Sequence, residues 1–130
     1  MDKGQKIDPK LVEEFVGVSH GNLDRVKQIL EQESAIVNAA WDWGGGDWET
    51  GLGAAAHVGR QDIANLLLAH GARLDLFAAA MLGRLDIVTA VITAYPDMKN
   101  ALGPHGIPLI AHAKAGGEAA AAVLQYLEAL

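Results

Sequence analysis

The chain has 130 residues, a formal net charge of −6, 51% hydrophobic residues and no cysteine. That length suits one domain with its own core, and the missing cysteines exclude disulfide frameworks, thiolate nucleophiles and cysteine zinc sites. An acidic chain without a basic cluster repels a phosphate backbone, so nucleic acid is not expected as a partner, and no apolar run is long enough to span a bilayer.

Near the N-terminus, MDKGQKIDPK lacks the pattern of a signal peptide, and a cytoplasmic location is expected. Asp8 and Pro9 form an N-cap and first-turn pair, opening a helix with Leu11, Phe15 and Val18 on one stripe. The segment GNLDRVKQIL at 21–30 then recurs as GRQDIANLLL at 59–68 and GRLDIVTAVI at 83–92. Gly21, Gly59 and Gly83 can end one helix, while Asp24, Asp62 and Asp86 favour the start of the next. Each copy therefore reads as a joint between two helices.

Alanine-rich or apolar segments precede the joints: EFVGVSHG at 14–21, LGAAAHVG at 52–59, LFAAAMLG at 76–83 and LIAHAKAG at 109–116. With 23 alanines in the chain, these segments favour closely packed helices. The fourth copy continues as GEAAAAVLQYLEAL, in which Val123, Tyr126 and Leu127 match Val88, Val91 and Ile92. The pattern predicts a single domain over 1–130 with helix pairs at approximately 9–33, 51–70, 75–94 and 107–129.

This register resembles the ankyrin-repeat family, in particular short bacterial-type members with degenerate repeats, whose unit is a β-turn finger followed by two helices. Thr50-Gly51-Leu52-Gly53-Ala54-Ala55 stands at the family's Thr-Pro-Leu-His-x-Ala signature with glycine for Pro and His; Ile107-Pro108-Leu109-Ile110-Ala111 keeps only Pro and Leu. LLLAHGA at 66–72 and IVNA at 36–39 are similar to the family's helix end and its run into a finger. The resemblance implies an all-α ankyrin-repeat α-solenoid of about four helix pairs, with one extended β-hairpin-like finger at 39–50. It also implies a non-catalytic module that binds another protein through its finger edge and concave groove.

Two irregularities stand out. Only Gly71 to Asp75 links the second and third pairs, so a finger is missing there, while the finger before Thr50 carries about four extra residues. Those extra residues fall in WDWGGGDWET, 41–50, which holds all three tryptophans. A hairpin turning at Gly44–Gly46 sets Trp43 against Asp47 and splits the indoles, Trp41 and Trp43 on one face and Trp48 on the other; a turn at Gly44–Asp47 puts all three on one face. Further on, AYPDMKNALGPHG at 94–106 replaces a tidy finger with an irregular loop.

The distinctive contact surface is read as Trp41, Asp42, Trp43, Asp47, Trp48 and Glu49 of the finger, with Gly53 and His57 of the groove; its acids favour a basic partner. At least one tryptophan is expected to pack over the helices left bare by the missing finger. Phe77, Met81, Ile110 and Lys114 are the remaining large groove positions, the first three fitting a core equally well. Leu127 and Leu130 offer a self-association surface.

His20, His57, His70, His105 and His112 show no HExxH or other tight ligand spacing, so each is read as structural and neither metal nor cofactor is expected. Ser19 beside His20 does not make a catalytic pair, because adjacent helical residues point apart. Gly44-Gly45-Gly46 lacks the following Lys-Ser/Thr of a phosphate loop, and its acids lack EF-hand spacing. The competing expectation is a small-ligand or metal-dependent enzyme that uses the pocket between the finger and His57 or His112.

Overall fold

A computed structural model describes residues 3–130. Helix α1 (Pro9–Val18) opens where the Asp8 carboxylate accepts from the Lys10 amide, and α2 (Leu23–Gln32) opens on the Asn22 side chain accepting from Arg25 N–H. Strands β1 (Ala40–Asp42) and β2 (Trp48–Thr50) then form an antiparallel hairpin. Thr50 caps α3 (Gly51–His57), which is followed by α4 (Gln61–Ala69). Asp75 caps α5 (Leu76–Met81), which leads into α6 (Leu85–Ala94). Finally, α7 (Leu109–Ala115) and α8 (Ala121–Glu128) complete the described chain. The fold is thus all-α apart from one two-stranded sheet, and no helix among the described residues is long and apolar enough to cross a membrane.

Consecutive helices pack in twos, α1 on α2, α3 on α4, α5 on α6 and α7 on α8, and the first helices pack along α1, α3, α5 and α7. The core has two halves. Phe15, Ile29, Ile36, Leu52, Ile63 and Leu67 fill the first, while Leu76, Val88, Leu109 and Val123 anchor the second. Small residues permit the tight packing: Ala54, Ala55, Ala56, Ala78, Ala79 and Ala80 are wholly buried. Met81 is also wholly buried, so it belongs to the core and not to a groove.

The arrangement departs from a strictly linear stack. Helix α3 also touches α7, and Gly59, at φ +75°, lies directly on the Ala115 backbone, where any Cβ would overlap the carbonyl oxygen. The second joint therefore rests on the fourth pair. The loop preceding α7 is drawn back beside the finger as a result, and residues 102–104 line the cleft behind it together with Trp48 and Phe77.

Candidate metal centre at the finger base

The finger is held by its own polar atoms. Asp42 Oδ1 accepts from Gly44 N–H at 2.9 Å and Gly46 N–H at 3.0 Å. The three glycines all have positive φ, a conformation that costs other residues about 1 kcal/mol or more each. The observed register pairs Trp41 with Glu49 and Asp42 with Trp48, and Trp43 N–H donates to the Asp47 carbonyl at 3.0 Å. This is the turn at Gly44–Gly46, so Trp41, Trp43, Asp47 and Glu49 share one face and Trp48 lies on the other.

That face is closed at Glu49. Glu49, read from the sequence as an exposed acid, has a side chain that is 0% exposed. Around it stand His20 from the turn just after α1, His57 from the end of α3 and His105 from the loop before α7. His20 Nε2 is 3.2 Å from Glu49 Oε1, and His57 Nε2 and His105 Nε2 are 3.1 and 3.2 Å from Glu49 Oε2. One donor atom from each of the four residues lies within 4.8 Å of every other. Linear spacing predicts no metal set, but folding brings four potential ligands together from four separate segments.

The outer contacts orient the donors. His20 Nδ1 lies 3.1 Å from the Val16 carbonyl and 3.0 Å from that of Gly17, so Nδ1 carries the proton it donates to them. His105 Nδ1 lies 2.6 Å from Asp47 Oδ2, and its backbone N–H donates to Asp47 Oδ1 at 2.7 Å. With Nδ1 protonated, the neutral ring presents an Nε2 lone pair. Both Nε2 atoms therefore face the carboxylate with lone pairs unless a proton or a cation lies between. Trp43 Nε1–H donates to Glu49 Oε1 at 2.9 Å and fixes the carboxylate from a third side.

His105 reaches this position at a conformational cost. Its φ of 62° makes it the one non-glycine in the left-handed region among the described residues. Such backbone costs about 1–3 kcal/mol and persists where surrounding contacts enforce it; here Asp47 grips both the amide and the ring.

Electrostatics separates the imidazoles. Hydrogen bonding to Glu49 raises His20 above the ordinary histidine value despite opposing burial, whereas burial pushes His57 below it. Burial alone drives Glu49 up, but the hydrogen bond and charge of His20, the Trp43 N–H and the charge of His105 outweigh it and lower the carboxyl. One proton on His20 balances the carboxylate, yet Glu49 Oε2 and His57 Nε2 remain buried without hydrogen-bond partners. They lie 3.1 Å apart but out of line for a bond to each other. Buried polar atoms normally find partners, so this orphaned pair needs a physical account.

No family model matches the chain, and no curated protein matches it. Its chemistry is accordingly read from the side chains.

The remaining sequence candidates fall elsewhere. Trp41 is partly buried against the first core half, supplying the expected tryptophan packing, and the cleft behind the finger is lined by residues 102–104 together with Trp48. Gly53 is buried beside Glu49 and Pro104, so it is spacing and not contact surface. Trp43 is 40% exposed and Trp48 61%. His112, offered with His57 as a pocket residue, packs on Phe77 at 4.8 Å and donates Nδ1–H to the Pro108 carbonyl, away from the cluster. One signal for the site was present in the sequence: His20 and His57 end the first helices of consecutive pairs, where stacking makes them neighbours. His105 carried none, because its approach depends on the contact between α3 and α7.

Proposed function

We propose that this chain is an ankyrin-like array adapted to bind one divalent transition-metal ion, with His20, Glu49, His57 and His105 as ligands. The observation that carries the proposal is the orphaned contact between buried Glu49 Oε2 and His57 Nε2, set among three inward imidazole nitrogens. A tetrahedral ion with bonds of about 2.0–2.1 Å holds its donors about 3.3 Å apart. The separations of His57 Nε2 and His105 Nε2 from Glu49 Oε2, 3.1 and 3.2 Å, match that edge length. Three imidazoles and a carboxylate suit Zn, Ni, Cu or Fe, whereas Mg and Ca prefer oxygen throughout. The His105–Asp47 contact and the His20–carbonyl contacts are the outer partners that orient ligating histidines.

Equilibrium dialysis of the metal-stripped chain against zinc, read by atomic emission, tests this reading. One zinc per chain is expected, lost in His57→Ala and Glu49→Gln and retained in His70→Ala. Absence of zinc from the wild-type chain, or its equal retention in all three variants, contradicts the reading.

A second reading is favoured by the 61% exposure of Trp48 on the opposite finger face. There the finger serves as a contact for another protein, in keeping with a non-catalytic interaction module. Trp48→Ala should then remove a partner while leaving zinc binding unchanged.

A further inference from the structure

The cluster has a closed side and an open side. Glu49 forms the floor with a side chain that is 0% exposed, and His57 beside it is 14% exposed. His20 and His105 form the rim, with side chains 29% and 32% exposed. The Trp43 ring stands at the same rim, 6.3 Å from the His20 ring and 6.4 Å from that of His105. No fifth His, Cys, Asp or Glu joins the four among the described residues, and Asp47 is engaged by the His105 ring and amide.

The floor limits what Glu49 can give an ion. Its Oε1 already accepts from the Trp43 N–H, whereas Oε2 has no hydrogen-bond partner. A carboxylate held this way donates through one oxygen, and three neutral imidazoles add three nitrogens. Four donors then approach from the floor and sides, while the rim between His20 and His105 supplies no protein donor. Four protein ligands alone make the closed, structural type of zinc site, so ligand exchange here requires a fifth position for water.

Resting on the metal reading above, we infer that the ion takes a fifth, solvent-facing ligand between His20 and His105, beside Trp43, and that a small monoanion replaces water there. One carboxylate against a divalent ion leaves a net positive charge, which an azide or a carboxylate neutralises. The exchange balances simply: the metal–water bond breaks, the metal–anion bond forms and one water leaves. Such a position is also what a metal ion needs in order to activate water or polarise a bound oxygen.

The test uses the full chain, stripped of metal and loaded with Co²⁺, whose visible absorption reports coordination number and ligand exchange. Sodium azide is titrated in, with sodium chloride at equal ionic strength as control. The expected result is a saturable shift of the visible cobalt bands, with a new azide-to-cobalt band in the near ultraviolet. Cobalt bands that stay unchanged throughout the azide titration overturn the open position while leaving the metal reading intact. A chain that develops no protein-bound cobalt spectrum overturns both.

Discussion

At the scale of single residues, the site depends on which atom each side chain commits elsewhere. Trp43 gives its only N–H to Glu49, and Asp47 gives both oxygens to His105. Trp43→Phe keeps the ring and removes that hydrogen bond, so zinc affinity should fall about 10-fold with the helical circular dichroism unchanged. Asp47→Asn should weaken binding by roughly 10–100-fold, because His105 loses the carboxylate that orients its ring. Competition titrations with a chromophoric chelator would measure both; unchanged affinity in both variants would show that these partners do not orient the ligands. His105→Asn has a different signature. Asparagine tolerates the left-handed backbone well, so metal-free stability should stay within about 1 kcal/mol of wild type while metal binding is lost.

At the scale of elements, the joints explain both what was readable in the chain and what was not. The Gly-x-x-Asp recurrence marks the helix boundaries because glycine permits the positive φ of Gly59 and Gly83, and the second and third joints share a further device. Arg60 clasps Asp62 and Arg84 clasps Asp86 in the same geometry, and Arg60 Nη1 also donates to the Gly21 carbonyl at 2.9 Å, tying the second pair to the first. The Arg60 guanidinium lowers Asp62 to about 2. Because the folded value is depressed, this contribution is present above the ordinary aspartate value and is lost as pH falls from about 4 towards 2. The pair is exposed and screened by solvent, so its contribution is small. Thermal melts of Arg60→Ala should show a small loss at pH 7 that vanishes near pH 2; a loss that persists there would assign the effect to the Gly21 contact instead. The finger was equally legible, since three glycines permit the positive-φ turn and Asp42 closes it. Its depth was not: Glu49 reads as one more loop acid until its neighbours are placed around it.

At the scale of the whole molecule, the four proposed ligands meet because the chain folds back on itself. His20, Glu49 and His57 come from the first two pairs, which the repeat register makes neighbours. His105 joins them from the loop before α7, which is held by Asp47 and by the packing of α7 on α3 and α5. Periodicity along a chain describes each unit and its next neighbour; it carries no information on a contact that skips a unit. Gly59→Ala forces a Cβ onto a carbonyl oxygen at positive φ, and a loss of about 2–4 kcal/mol is expected from clash and backbone together. If the molecule still folds, its zinc affinity should also fall, since the loop carrying His105 is displaced. An ion bridging four segments should in turn stabilise the whole: at 100 times its dissociation constant the gain is about 2.7 kcal/mol, or roughly 10 °C in melting temperature, reversed by chelator. The most direct measurement is anomalous scattering at the zinc edge from crystals of the zinc-loaded protein. A single peak within about 2.0–2.2 Å of His20 Nε2, His57 Nε2, His105 Nε2 and a Glu49 oxygen is predicted. A peak elsewhere on the molecule, or no bound zinc, would contradict the account.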